Sequence, residues 1–286
     1  MTPRRLTSPD RVVFEDAGIT KGDVAAYYAL VARWMLPGVV GRPLSLLRCP
    51  DGAGASCFFQ KHHADSLGAG VHSITLDEVS GTGEYLYIDN ADGLLDLVQL
   101  NTLEFHPWGA RTSDVEHPDR LVFDLDPDEG IAWSELKSAA RDIRDRLAAL
   151  KLRSWVRLSG GKGLHVVVPV RPKADWAQAK AFCEDFAGQL VTESPKRYVA
   201  TASKAKREGR IFIDWLRNTR GATSVASWSL RARAGVPVCM PLSWDELAQV
   251  RKPGAYDLRK AAKRAESLKQ DPWDGFSRVR QTVPSS

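Results

Sequence analysis

Apolar residues recur along the chain at two periods, and each period marks a kind of element. Thr20-Lys21-Gly22-Asp23 has the form of a capping box. After it, Val24, Tyr27, Tyr28, Val31 and Met35 fall at helical spacing until Pro37-Gly38 closes the run. The same spacing predicts helices over 134–150, with Leu136, Ile143, Leu147 and Leu150 on one face, and over 175–190, with Ala179, Phe182, Phe186 and Leu190 inward. A further helix is predicted over 92–103. Short alternating or continuous apolar runs predict strands over 44–48, 56–61, 84–89, 120–126, 155–158, 164–170 and 211–216. Residues 222–233 read as strand-like and polar, and the chain from Ser243 onward as helical or peripheral. Several strand pairs lie too close in sequence for a parallel crossover, so the pattern predicts an α+β fold with mixed or antiparallel sheets flanked by helices.

Composition narrows this picture. With 286 residues, 43% of them hydrophobic, the chain can bury one large core or two closely packed lobes. No apolar run reaches the roughly 18 residues of a membrane span, and Met1-Thr2-Pro3-Arg4-Arg5-Leu6 lacks the apolar core of a signal peptide. A cytoplasmic chain with no membrane partner is expected. Cys49, Cys57, Cys183 and Cys239 form no C-x-x-C pair and have no His at zinc-finger spacing, so they read as reduced thiols and not as a zinc site. Charge is distributed unevenly. Between Lys196 and Arg233 stand ten Lys and Arg against two acids, Glu208 and Asp214, a local balance of +8 in a chain whose net charge is +5. Such a concentration fits a phosphate-binding surface.

The carboxylates supply the first candidate chemistry. In Leu121-Val122-Phe123-Asp124-Leu125-Asp126-Pro127 the two acids stand two apart, which on a strand places them on one face. Two ionised carboxylates side by side repel, and a divalent cation relieves the repulsion. The plain alternative is a pair of solvated acids before a turn. Asp214 stands in an apolar strand, Ile211–Leu216, where an Asp needs either a partner such as Arg210 or Arg217, or a cation. Three strand carboxylates can hold two cations, one acting on an attacking 3′ hydroxyl and the other on a leaving pyrophosphate.

Ser159-Gly160-Gly161-Lys162-Gly163-Leu164-His165 joins two strands and is suited to an anion, although it lacks Walker A spacing and can equally be a tight hairpin with an exposed lysine. His165 is either a satisfied core histidine or a donor to a triphosphate oxygen. Ser203–Arg210, dense in Lys and Arg, is a solvated loop or a nucleic-acid contact. Of Phe58 and Phe59, strand geometry lets at most one be core, and the other can stack on a base.

Taken in order, Leu121–Pro127, Ser159–His165 and Phe212-Ile213-Asp214-Trp215 resemble the three motifs of the archaeo-eukaryotic primase superfamily, and more narrowly the polymerase domain of bacterial ligase D. The likeness runs from Leu6-Thr7-Ser8-Pro9-Asp10-Arg11-Val12 to Ser229-Leu230-Arg231-Ala232-Arg233 and Trp244. It implies a primase-type catalytic core with a module like an RNA-recognition motif. It implies a single polymerase domain over 1–286; within it the chain itself suggests a linker around Gly109–Pro118 between an N-terminal lobe, 1–110, and a catalytic core lobe, 119–286. The activity implied is DNA-end-directed nucleotide addition and gap filling in non-homologous end joining, with ribonucleotides preferred. Two ions are implied, Mn²⁺ or Mg²⁺. The partners implied are DNA ends with a 5′ phosphate, nucleoside triphosphates, Ku and a DNA ligase domain, at the bacterial nucleoid.

By matching position, Asp124, Asp126 and Asp214 are catalytic metal ligands. Ser159, Lys162, His165 and Arg231 contact the triphosphate, Phe58 or Phe59 the base, and His106 another active-site position. Arg11 and Lys21 grip the 5′ phosphate, and the loop with Lys204, Lys206 and Arg207 aligns DNA ends. Ser8 departs from the His or Asn common there, and no ligase nucleophile motif is present. Competing readings are a non-catalytic DNA-end-binding or synapsis module and a two-metal nuclease or phosphoesterase.

Overall fold

The structure, a computed structural model, describes residues 6–64, 67–78 and 81–284. In chain order its main elements are β1 (Val12–Phe14), β2 (Ile19–Thr20), α1 (Lys21–Met35), β3 (Leu44–Arg48), β4 (Phe58–Gln60), β5 (Val71–Glu78), β6 (Gly81–Ile88), α2 (Ala91–Gln99) and β7 (Thr102–Pro107). They continue as β8 (Arg120–Pro127), α3 (Trp133–Ala149), β9 (Trp155–Leu158), β10 (Leu164–Pro169), α4 (Trp176–Glu193), β11 (Tyr198–Val199), β12 (Ile211–Asp214), β13 (Pro241–Leu242), α5 (Trp244–Gln249) and α6 (Leu258–Ser267). None of the helices among the described residues is long and apolar enough to cross a membrane.

Contacts divide the chain into two compact units. The first comprises Met1–Trp108, Val225–Cys239 and Tyr256–Lys269, and the second Gly109–Ser224, Met240–Ala255 and Gln270–Ser286. The division is not consecutive: 225–239 and 256–269, inside the lobe expected over 119–286, group with the first unit.

The first unit holds β1 paired with β2, the sheet β4-β3-β7 and the hairpin β5-β6. Helix α1 starts as expected: the Thr20 side chain accepts from the Asp23 N–H, and the Asp23 carboxylate accepts from the Thr20 N–H. Val24, Tyr28, Val31 and Met35 bury its inner face, each such side chain contributing about 1.5–3 kcal/mol. Helix α2 is shorter than predicted. It ends at Gln99, Asn101 turns into the left-handed region at φ 61°, and β7 follows where helix was expected. Residues 222–233 form no strand; they are irregular, with isolated bridge positions at Thr223 and Leu230, the latter pairing with Val238. Cys49 and Cys57 are joined in a disulfide, not reduced as expected, because Arg48 pairs with Phe58 and the two cysteines come next, opposite one another with Cα atoms 4.3 Å apart. Cys183 and Cys239 are buried thiols outside the disulfide, the second donating to the Val225 carbonyl at 3.9 Å.

The second unit is built on a six-stranded sheet in the order β11-β12-β8-β10-β9-β13. Its inner four strands pair antiparallel and arise as β8-α3-β9-β10-α4-β12, the β-α-β-β-α-β succession of an RNA-recognition-type module. Both helices cover one face. Leu136, Ala140, Ile143 and Leu147 of α3, and Ala179, Phe186 and Leu190 of α4, are buried. They meet Phe123 and Leu125 of β8 and Val166 of β10, also buried. Asp175 caps α4 in a second capping box, with Gln178. The face left without helices carries the polar residues.

Candidate active site

Four strands align four polar residues. Asp214 of β12 stands opposite Asp124 of β8, Asp124 opposite His165 of β10, and His165 opposite Arg157 of β9. Register partners project from the same face of a sheet, so these side chains form one row across it. Asp126 lies two residues beyond Asp124 and shares that face, while Leu125 between them is buried on the helix side.

The row is crowded with charge. Arg217, three residues past β12, spans two of the acids, its Nε 3.1 Å from Asp214 and 3.5 Å from Asp124. The turn that places it is locked by Asn218, whose side chain accepts from the Val122 N–H at 2.7 Å and donates to the Val122 carbonyl at 2.8 Å. Burial opposes ionisation of Asp124, but His165, Arg217 and Arg157 outweigh it and hold the carboxyl near 2. Asp126 goes the other way: burial and the charge of Asp124 push it up to about 6. Burial also raises Asp214, against the pull of Arg217. The nearby guanidinium charges therefore offset the crowding at Asp124 but not at Asp126 or Asp214.

This donor set fits divalent cations. Asp124 Oδ1 is buried without a hydrogen-bond partner among the described residues; His165 Nε2 is 3.3 Å away but does not satisfy it. Hard oxygen donors of net negative charge, one oriented and unsatisfied, suit Mg²⁺ or Mn²⁺. As they stand, with Arg217 between two of the acids, no three His, Cys, Asp or Glu side chains among the described residues converge as a finished ligand set.

The glycine turn follows β9. The Ser159 N–H donates to the Gly163 carbonyl at 3.1 Å, the Ser159 hydroxyl accepts from the Gly161 N–H at 3.3 Å, and Gly160 takes φ 73°. Ser159 is buried and Lys162 exposed. Gly163 has no room for a side chain: a Cβ would stand 2.6 Å from the Leu125 carbonyl oxygen and 3.3 Å from Asp126 Oδ1. Gly163→Ala is therefore expected to push the end of β8 aside, at about 2 kcal/mol and roughly 6 °C in melting temperature. A thermal melt equal to that of the wild type would show that the two strand ends do not press on each other.

Basic residues approach from the loop before β12. The Arg207 guanidinium lies 3.7 Å from the centre of the Phe212 ring and donates to the Ala202 carbonyl at 2.7 Å. Its charge is among those that lower the pKa values of Asp126 and Asp214. Asp128, just past β8, accepts from the Gly209 N–H at 2.8 Å and so ties the loop's far end to the carboxylate strand. Lys206 is exposed, and the Lys204 side chain lies outside the described part of the structure.

Phe58, Phe59, His106 and Arg231 belong to the other unit. Neither ring is core: Phe58 and Phe59 are 47% and 61% exposed. Phe59 meets His106 edge to face at 5.4 Å between centroids. His106 Nε2 lies 2.8 Å from a carboxylate oxygen of Glu104 that also accepts from Arg231 Nε at 2.9 Å, and the other oxygen accepts from the Ala232 N–H at 2.8 Å. Glu104, absent from the residues chosen by sequence, thus joins two of those that were. Arg11 and Lys21 also lie in this unit. Lys21 is largely buried, its Nζ 3.4 Å from the Thr7 hydroxyl, and burial and the charge of Arg11 lower its pKa. Arg11 donates to the Pro50 carbonyl, and Ser8 adopts φ 50°. Arg157, Arg217 and Glu104 carried the signal that singled out Asp214: a charge in or beside a strand of apolar residues.

Comparison with known proteins places the chain as a whole. A family model described as the LigD primase-polymerase domain matches residues 20–273. The multifunctional non-homologous end joining protein LigD of Pseudomonas aeruginosa is 35% identical over 285 residues, covering 99% of this chain and 34% of that protein. Its namesake from Mycolicibacterium smegmatis is 36% identical over 246 residues, covering 85% of this chain and 32% of that protein. The chain thus spans about a third of the length of these curated relatives. A solved structure, the polymerase domain from Mycobacterium tuberculosis ligase D in complex with DNA, superposes with a TM-score of 0.87 at 33% identity, covering 94% of this chain and 98% of that one.

Proposed function

The chain belongs to the LigD primase-polymerase domain family, and from that premise we propose that it is a DNA-end-directed polymerase that fills gaps and adds nucleotides, preferentially ribonucleotides, to 3′ ends during non-homologous end joining. The observation that carries the proposal is the row Asp214, Asp124, His165 and Arg157, with Asp126 beside it, on the helix-free face of the sheet. A module that only held DNA ends would gain nothing from three carboxylates crowded among its basic residues, because they repel phosphate.

Asp124, Asp126 and Asp214 would hold two divalent ions, manganese by preference, which when bound favour ionisation of the 3′ hydroxyl and neutralise the leaving pyrophosphate. Ser159, Lys162 and His165 at the glycine turn donate to the triphosphate. Phe58 or Phe59 stacks on a base, and His106 and Arg231, braced by Glu104, contact the nucleotide. Lys204, Lys206 and Arg207 align DNA ends. Arg11 and Lys21 bind the 5′ phosphate; two cations held close enough to repel, one of them largely buried, are what an anion would stabilise. In the organism, Ku and a DNA ligase domain are the proposed partners, at the nucleoid.

Primer extension on a gapped duplex tests this directly, with Mn²⁺ or Mg²⁺ and with ribo- or deoxyribonucleotides. Addition should be strongest with Mn²⁺ and ribonucleotides, and should fall when the downstream strand lacks its 5′ phosphate. That dependence should disappear in Arg11→Ala and Lys21→Ala. No incorporation by the wild type under any of these conditions would overturn the polymerase reading. Equal affinity for phosphorylated and unphosphorylated ends would overturn the assignment of Arg11 and Lys21.

A further inference from the structure

Arg157 ends the cross-strand row, opposite His165. It is 2% exposed, within β9, a strand otherwise of Trp155, Val156 and Leu158. An arginine is rarely placed so deep without a fixed set of acceptors. Its Nε donates to His165 Nδ1 at 3.0 Å, and one terminal nitrogen donates to the Ser224 hydroxyl at 3.0 Å. The Trp273 ring lies 5.7 Å from the guanidinium carbon. That ring is itself held, its Nε1 donating to the Val156 carbonyl at 2.9 Å and its face stacked on Phe276 at 5.0 Å.

A guanidinium has donors only, so a ring nitrogen that meets it must accept. His165 Nδ1 is then the nitrogen without a proton, and the proton of the neutral ring sits on Nε2. Nε2 points toward the carboxylate row, 3.3 Å from Asp124 Oδ1 and not committed to it by a well-formed hydrogen bond.

We propose that Arg157 is a positioning residue. It selects the Nε2–H form of His165 and holds that N–H as a donor on the face where a nucleoside triphosphate binds, while Ser224 and Trp273 fix the guanidinium. Arg157 touches neither nucleotide nor DNA; it acts through His165. The inference rests on the polymerase reading for its kinetic consequence but not for its structural one.

The test uses wild type, Arg157→Met, Arg157→Lys and His165→Ala, with two readouts. In the first, ¹⁵N spectra of ring-labelled histidine are assigned by comparison with His165→Ala. Wild type should show one pyridine-like nitrogen, at Nδ1, and one pyrrole-like nitrogen, at Nε2. Arg157→Met, with a melt close to that of the wild type, should show the two forms mixed, and Arg157→Lys should restore the wild-type form at least in part. A wild-type spectrum with the proton on Nδ1, or an unchanged spectrum in Arg157→Met, would overturn the proposal even if the protein proved to catalyse nothing. In the second, Arg157→Met should raise KM for the nucleotide by up to about tenfold, the limit set by losing a hydrogen bond to phosphate of about 1.4 kcal/mol, and leave KM for DNA within twofold. In a His165→Ala background the same change should add no further nucleotide defect. An additive defect there, or an equal loss for both substrates, would make Arg157 a packing residue only. Should Arg157→Met fail to fold, Arg157→Lys carries both readouts: its single nitrogen cannot stand at both places held by the guanidinium Nε and terminal nitrogen, so its spectrum and nucleotide KM should lie between those of wild type and His165→Ala.

Discussion

Asp124→Ala and Asp214→Ala are each expected to reduce nucleotide addition on the order of 10³-fold or more, as losses of residues acting as a unit do, while DNA binding persists. The reasoning is electrostatic. The carboxylates lie on a face bearing Arg217, Arg157 and Arg207, and their removal leaves phosphate-binding charge intact but nothing to hold a divalent ion. Asp126→Asn should abolish addition too, and it carries a second signature. Burial and Asp124 raise the Asp126 pKa from 3.8 to about 6, so its ionisation destabilises the folded chain. The sign follows from linkage: with the folded pKa raised, the favourable contribution is fully present below pH 3.8 and is lost as pH rises through about 6. In chelator-treated protein at pH 7, Asp126→Asn should therefore melt higher than wild type, by roughly 2–4 °C per kcal/mol of relieved repulsion. The difference should vanish near pH 4. Full activity without these carboxylates would sink the assignment, and a lower melt for Asp126→Asn would show that the crowding on this face is relieved in another way.

Glu104→Ala is expected to have the largest effect on stability. Glu104 is 3% exposed, and its two oxygens serve His106, Arg231 and the Ala232 N–H. Burial alone would raise its pKa, but the hydrogen bond from His106 and the charge of Arg231 prevail and lower it. Removing one partner of a buried charged network costs about 3–5 kcal/mol, because the remaining charge stays buried and unpaired. In a domain of this size that corresponds to a melting temperature roughly 10 °C lower. Because the Glu104 pKa is lowered, its contribution is present above the unfolded value and is lost as pH falls. The gap between wild type and Glu104→Ala should accordingly close in acid. Glu104→Gln keeps the shape and part of the hydrogen bonding, and should lie between the two. Thermal melts at pH 7 and in steps below pH 4.5 decide the matter: a gap that is small at pH 7, or that does not narrow as pH falls below 4.5, would mean that Arg231 and His106 find other partners.

Much of the second unit was legible because its strands are apolar on both sides. Leu121–Phe123 and Val166–Val168 can only be buried strands, so Asp124, Asp126 and His165 were conspicuous at their ends. Register was not legible: nothing local says that Asp214 faces Asp124 or that Arg157 faces His165, since those pairings are settled by how four strands align. In the first unit, β7 was hidden because Leu94, Leu97, Val98 and Leu103 continue a helical spacing across the turn at Asn101. Missing that strand meant missing Glu104 on it. Strand β5 alternates weakly and offered no clear pattern. Residues 222–233 looked strand-like, but Trp228 takes φ 70°, and the N–H of Ala226 donates to the Phe105 carbonyl instead of extending a ladder. The disulfide was hidden for the same reason as the row. Cys49 and Cys57 are eight residues apart in sequence and adjacent only once β3 and β4 pair.

The discontinuous make-up of the two units bears on how the protein can be cut. The chain passes between them five times, at 108/109, 224/225, 239/240, 255/256 and 269/270. A protease that nicks any one of these links leaves four covalent strands in place, so no single cleavage releases either unit as a fragment. Nor is the first unit obtained by stopping translation at Trp108. Such a truncation discards Arg231 and Ala232, two of the three partners of Glu104, and also Trp228, whose carbonyl accepts from the Tyr27 hydroxyl at 2.9 Å. A gene fragment meant to yield that unit alone must splice 225–239 and 256–269 back onto it.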